Sequence, residues 1–129
     1  MVRRRARLSR SGEFQRIYRQ GSSTASRYLV LHYFKRSGGS VEPGPRLGLS
    51  VSKKLGGAVV RNRVKRQLRE AFAAVEQELA HDYDYVLIAR PAVVDLIDRQ
   101  EKGDKGIVQA AVKELFERAS LLKEGDTSA

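Results

Sequence analysis

The chain has 129 residues, enough for one domain with a real core, and it contains no cysteine, which excludes disulfides, thiolate metal sites and cysteine nucleophiles. Its formal net charge is +10, from 25 Lys+Arg against 15 Asp+Glu, which favours an acidic partner and says nothing about fold. No apolar run approaches membrane-spanning length, and the opening Arg3-Arg4-Arg5-Ala6-Arg7 lacks the apolar stretch that makes a secretory signal.

In chain order, residues 1–10 read as a basic arm. Ser11 is placed to cap a short helix to about Gln20, with Phe14, Ile17 and Tyr18 on one side and Gly21 as its stop. Tyr28 to Phe34 is aromatic and β-branched and predicts a strand. Residues 37–45 hold Gly, Ser and two prolines, a turn. Arg46 to Ser52 alternates: Leu47, Leu49 and Val51 point one way, and Arg46, Gly48, Ser50 and Ser52 the other. Ala58 to about Ala80 predicts a long helix, with Val64, Leu68, Ala71, Phe72, Val75 and Leu79 in one sector.

Beyond it, Asp82 to Asp84 reads as a turn, and Tyr85 to Ala89 as a buried strand closed by Pro91. Arg99 to Gly106 reads as a charged linker. Ile107 to Leu122 predicts a second amphipathic helix, with Val108, Val112, Leu115, Phe116 and Ala119 inward. The expected organisation is the arm at 1–10, one domain over 11–122 and a flexible tail at 123–129. The order helix, strands, long helix, strand, helix predicts an α+β fold, a small two-layer sandwich around a mixed sheet.

The charge is polarised. Residues 1–70 hold 18 of the 25 Lys+Arg and three of the 15 Asp+Glu, a net of +15, while residues 71–129 carry −5. Its densest part is Arg61-Asn62-Arg63-Val64-Lys65-Arg66-Gln67-Leu68-Arg69-Glu70, at the start of the long helix. Lys65, Arg69, Asn62 and Arg66 share the sector beside the apolar stripe, and Arg61 lies at its edge. Guanidinium forks match phosphate oxygens, lysines add point charge, and a helix start favours anions. The alternative is a salt-bridged, solvated face, but only Glu70 lies within the block. A long helix anchored among strands suits docking on a folded RNA backbone more than reading a DNA major groove. Lys53-Lys54 before Gly56-Gly57 lacks the order of a phosphate loop and reads as a basic loop flanking the helix start.

A second surface combines Phe14 and Tyr18 with the outward residues of the two strands. If Tyr28, Val30, His32 and Phe34 face the side of Gly48, Ser50 and Ser52, they form an aromatic platform able to stack unpaired bases. Plain core packing is the competing reading for Phe14, Ile17 and Tyr18. Catalytic groups are missing: His32 and His81 lack metal-ligand spacing, and Glu13, Glu42 and Glu70 are too sparse for a two-metal nuclease. No catalytic residue and no protein metal ligand is expected.

The runs Gly48-Leu49-Ser50-Val51-Ser52-Lys53-Lys54, Ala58-Val59-Val60-Arg61-Asn62-Arg63-Val64-Lys65-Arg66 and Leu68-Arg69-Glu70 closely resemble the protein component of bacterial ribonuclease P. The likeness runs from the basic N-terminus and Glu13-Phe14 through Tyr85–Arg90 to the last helix. It implies a small α/β sandwich with a left-handed β-α-β crossover, where the usual hand is right. It implies two RNA partners, the catalytic RNA and precursor tRNA, with no DNA or membrane, in the cytoplasm. The RNA would carry the chemistry with bound Mg²⁺, removing the 5′ leader, and the protein would hold the leader and strengthen metal and substrate binding.

By this likeness Lys53, Lys54, Arg61, Asn62, Arg63, Lys65, Arg66 and Arg69 would face the catalytic RNA. Phe14, Tyr18, His32, Arg46, Ser50 and Ser52 would line the leader cleft. His32 departs from the family, which often carries tyrosine or phenylalanine there, and the arm is richer in arginine than the likeness requires. A structural ribosomal RNA-binding protein and a stand-alone nuclease are the competing classes, the latter weakened by the lack of clustered carboxylates.

Overall fold

Four strands form one mixed sheet in the order β1-β2-β4-β3, where β1 is Ser22–Ala25, β2 Leu29–Lys35, β3 Arg46–Ser50 and β4 Tyr83–Ala89. The structure is a computed structural model that describes residues 11–36 and 44–121. The expected arm at 1–10, most of the turn at 37–45, the Ser11 cap side chain and the tail at 123–129 lie outside the described residues. β2 pairs antiparallel with β1 and β4, and β3 lies parallel to β4. Parallel neighbours need a crossover, and α2 (Ala58–Val75) supplies it.

The alternation in β2, β3 and β4 separates two faces. One carries Leu29, Leu31, Leu47, Tyr85 and Leu87 into the main core, against Val64, Leu68 and Phe72 of α2. The same core takes Val93 and Ile97 of α3 (Ala92–Glu101), and Val112, Leu115 and Phe116 of α4 (Ile107–Arg118). Each fully buried side chain of this kind contributes about 1.5–3 kcal/mol. Tyr85 sits at its centre, edge-on to Phe116 at 4.8 Å and to Phe72 at 6.2 Å. Its hydroxyl donates to the Ala80 carbonyl at 2.8 Å, so the buried phenol keeps a partner.

The opposite face is thinly covered. There α1 (Ser11–Gln20) lays Ile17 against Val86, with Phe14, Phe34 and Ile88 packed around them. Gly21 follows α1 as expected, donating its N–H to the Ile17 carbonyl at 2.9 Å. What requires glycine there is space: a Cβ would stand 2.3 Å from the Tyr33 carbonyl oxygen and 2.6 Å from that of Ile17.

Several expectations are corrected. The long helix ends at Val75 and gives way to a single 3₁₀ turn at Glu76–Glu78. Residues 82–84 are not simply a turn, because β4 begins at Tyr83 and Asp84 is buried in it. Arg99 to Gly106 is not all linker, because α3 continues through Glu101. Val93, Leu96 and Ile97 recur at the helical i, i+3, i+4 spacing and are buried. Pro91 stands at the N-cap of this helix, with its fixed φ suited to the start. Gly106, at φ 76°, turns the chain into α4 through a left-handed conformation that glycine adopts without strain. The edge strand β1, which has only small residues, was not anticipated. Tyr28 packs against the main core and does not join the aromatic platform.

Candidate nucleic-acid interface

The segment that leads into α2 is built from the end of β3. Ser52 lies past the strand, and its hydroxyl accepts from the Lys54 N–H at 3.3 Å, capping a 3₁₀ turn at Lys53–Leu55. Lys53 and Lys54 are exposed on that turn. Gly57 is the N-cap of α2 and offers no side chain to its first N–H groups. Val59, in the first turn, is 82% exposed.

Along α2 the cations divide between two flanks. With about 100° per residue, Arg61, Lys65, Arg69, Asn62 and Arg66 sweep from the edge of the apolar sector to the solvent side. Asn62 and Arg66 are exposed, while Arg61, Lys65 and Arg69 are half-buried. No hydrogen bond or ion pair engages Lys65 or Arg66 among the described residues. The Arg61 Nε is buried without a hydrogen-bond partner among them. Arg63 behaves differently. Its Nη2 donates to Asp98 Oδ1 and its Nε to Glu101 Oε2 at 3.1 Å, both on α3. The hydrogen bond to Asp98, opposed by burial and helped by Glu101, raises its pKa above the usual arginine value. The expectation that local partners are scarce therefore fails for Arg63.

The second surface is the sheet face beneath α1. The register sets His32, Val86 and Gly48 in one row across β2, β4 and β3, and Val30, Ile88 and Ser50 in the next. Tyr18, 41% exposed, stands edge-on to His32 with centroids 4.9 Å apart. Phe14 meets Tyr18 edge-on at 6.4 Å while packing against the Ile17 and Val86 cluster. Phe14, Tyr18 and His32 thus come together, and Ser50 lies on the same sheet face one row along. Burial raises the Tyr18 pKa and lowers that of His32, which favours a neutral imidazole. Ser52 stands beyond the strand, at the cap.

Arg46 shares the next row with Asp84 and Phe34, but its guanidinium is committed inward. Its Nε lies 2.8 Å from Asp84 Oδ1 and its Nη2 2.7 Å from Oδ2. Arg36 Nη1 reaches the same Oδ1 at 2.7 Å, and its other nitrogen donates to the carbonyls of Gly44 and His81. Arg46 therefore neutralises a buried carboxylate, a partnership that the local sequence does not reveal. Sequence reasoning missed Asp84, Arg36, Asp98 and Glu101. Asp98 and Glu101 had a weak signal in their i, i+3 spacing beside an apolar stripe.

A basic helix face and a separate aromatic cleft, joined by the 51–57 segment on one α+β sandwich, define a small RNA-binding protein. The family model described as Ribonuclease P matches residues 2–119, and the chain belongs to the ribonuclease P protein family. It is 43% identical over 95 residues to the ribonuclease P protein component of Geobacillus kaustophilus, covering 74% of this chain and 76% of that protein. To the Geobacillus thermodenitrificans component it is 36% identical over 127 residues, 98% of each chain. The solved Staphylococcus aureus RNase P protein superposes with TM-score 0.75 at 32% identity, covering 92% of this chain and 98% of that one. For the Thermotoga maritima RNase P protein the TM-score is 0.73 at 28% identity, covering 87% and 96%. These likenesses bear out the α+β sandwich expected from the sequence. Among the described residues, no helix is long and apolar enough to cross a membrane.

Proposed function

We propose that this chain is the protein subunit of ribonuclease P, binding the catalytic RNA and the 5′ leader of precursor tRNA during RNA-catalysed, Mg²⁺-dependent leader removal in the cytoplasm. The observation that carries this reading is the pairing of two unlike surfaces. The outer side of α2 offers Lys65 and Arg66 with Asn62 exposed between them, suited to the phosphates of a folded RNA. The cleft offers the edges and faces of Phe14, Tyr18 and His32, suited to unpaired bases. Lys53 and Lys54 stand where a strand would pass from one surface to the other. The left-handed sense of the β3-α2-β4 crossover belongs to the same proposal.

The chain's own part is binding and orientation. Cations lower the cost of bringing two polyanions together, which in turn lowers the Mg²⁺ concentration needed. Mg²⁺ is the ion of the RNA in this reading and supplies charge neutralisation and an activated water there. Among the described residues no group of three or more His, Asp or Glu has metal-holding geometry, and the buried Asp84 carboxylate is already occupied by Arg36 and Arg46.

Reconstitution tests the reading. The purified protein alone should leave precursor tRNA intact, and adding a bacterial ribonuclease P RNA at low Mg²⁺ should give cleavage at the mature 5′ end. Co-sedimentation with ribosomal subunits and no stimulation would favour the structural ribosomal alternative. Cleavage by the protein alone would favour the nuclease.

A further inference from the structure

We propose that Arg63, although it sits inside the basic run, is a positioning residue that braces α2 against α3, and that it makes no phosphate contact. This rests on the reading of α2 as the RNA-docking helix. At about 100° per residue Arg63 lies roughly 160° around the helix from Lys65 and about 60° beyond Arg66, on the flank that faces α3. Its side chain is 25% exposed and holds Asp98 and Glu101 together, two carboxylates one helical turn apart. One turn further along the same flank, Gln67 Oε1 accepts from Gln100 Nε2 at 3.0 Å. Gln100 Oε1 in turn accepts the Val108 N–H at 3.1 Å, capping the start of α4. A polar seam thus runs from α2 through α3 to α4, and Arg63 is its outermost link.

The chemistry favours the brace over a shared role. A guanidinium whose Nε and Nη2 are matched to two carboxylates already has its charge neutralised there, and those carboxylates repel an incoming phosphate backbone. Lys65 and Arg66, with no such partners among the described residues, carry no such cost. The seam also sets the edge of the docking surface, because α3 continues the boundary with Asp95 and the half-exposed Asp98 and Glu101.

The sign of one substitution separates the two roles. Affinity of the full chain for a bacterial ribonuclease P RNA is measured against salt concentration, with thermal melting as the control for folding. If Arg63 is a brace, Asp98→Asn weakens binding about threefold to tenfold and leaves the slope of log affinity against log salt unchanged, as does Arg63→Gln. The swap Arg63→Glu with Asp98→Arg then recovers most of the loss, which a phosphate contact would not survive. If Asp98→Asn tightens binding and steepens the slope, or if Arg63→Gln flattens it by about 0.7–0.9, Arg63 is an RNA contact masked by α3 and the proposal is overturned. Should Arg63→Glu fail to fold, Asp98→Asn at a half-exposed position still decides. Failure of the wider reading looks different, since the unsubstituted chain would then show no salt-dependent affinity for this RNA.

Discussion

Removing the Asp84 carboxylate should cost more stability than any other single surface-independent charge change in the sheet. Its side chain is 5% exposed, and those of Arg36 and Arg46 are 9% and 19% exposed. Asp84→Ala therefore leaves two guanidinium groups facing each other with little water to solvate them, and breaking a buried pair in this way costs about 3–5 kcal/mol. Taking roughly 4 °C per kcal/mol for a domain of this size, Tm should fall by about 12–20 °C. Asp84→Asn keeps a carbonyl oxygen for one arginine and should lose less, about 2–3 kcal/mol. The comparison is Asp82→Ala, whose pair with Lys35 spans 3.7 Å between side chains 59% and 66% exposed and should be worth about 0–1 kcal/mol. Urea melts of the three variants at neutral pH give the ordering. If Asp84→Ala lies within about 1 kcal/mol of Asp82→Ala, the arginines escape to solvent and the buried-cluster argument is wrong.

Arg66→Ala should weaken binding to the catalytic RNA and reduce the salt slope by about 0.7–0.9 per lost phosphate contact; an unchanged slope removes Arg66 from the interface. Phe14→Ala should reduce affinity for leader-bearing precursor and spare mature tRNA in a gel-shift titration, whereas equal loss for both would make Phe14 simple core. Burial pushes the Tyr85 phenol well above its ordinary value, so above pH about 10 the unfolded chain ionises at this tyrosine while the native state keeps its proton. That contribution is complete below pH about 10 and is lost as pH rises further; urea midpoints at pH 8 and 10.5 should show a drop that is smaller in Tyr85→Phe.

Much of this architecture was legible in the chain because it is written in short-range periodicity. The stripe Val64, Leu68, Phe72 and Val75 gives α2 and its buried side at once, and the alternation of Leu47 and Leu49 with Gly48 and Ser50 gives both faces of β3. What was lost is what depends on distant partners. α3 has the apolar stripe Val93, Leu96 and Ile97, but its first seven residues are too short a run to declare a helix beside the charged stretch from Arg99 to Gly106 that read as a linker, and two of its carboxylates meet Arg63 on another helix. β1 has no apolar face to announce it; Ser22 to Ala25 is a strand because β2 offers an edge. Asp84 read as a turn residue because nothing local reveals that Arg36 and Arg46 converge on it from positions 48 and 38 residues away. For the site, the aromatic spacing suggested a shared surface, and the structure sets Phe14, Tyr18 and His32 side by side; the carboxylate partners of Arg46 and Arg63 lie 38 and 35 residues away, where local charge patterning does not show them.

The thin covering of the α1 face has a consequence for how the cleft behaves. Of the described side chains in α1, Ile17 alone is fully buried, and its only fully buried companion in that cluster is Val86. Detaching such a helix costs a small fraction of what global unfolding costs, so it can open by itself. Amide hydrogens in α1 should exchange through this local opening at rates insensitive to mild denaturant, while those of β4 exchange only when the whole domain unfolds. In the proposed leader-binding role, a wall that lifts this readily would accommodate single strands of different base composition without repacking the sheet beneath them.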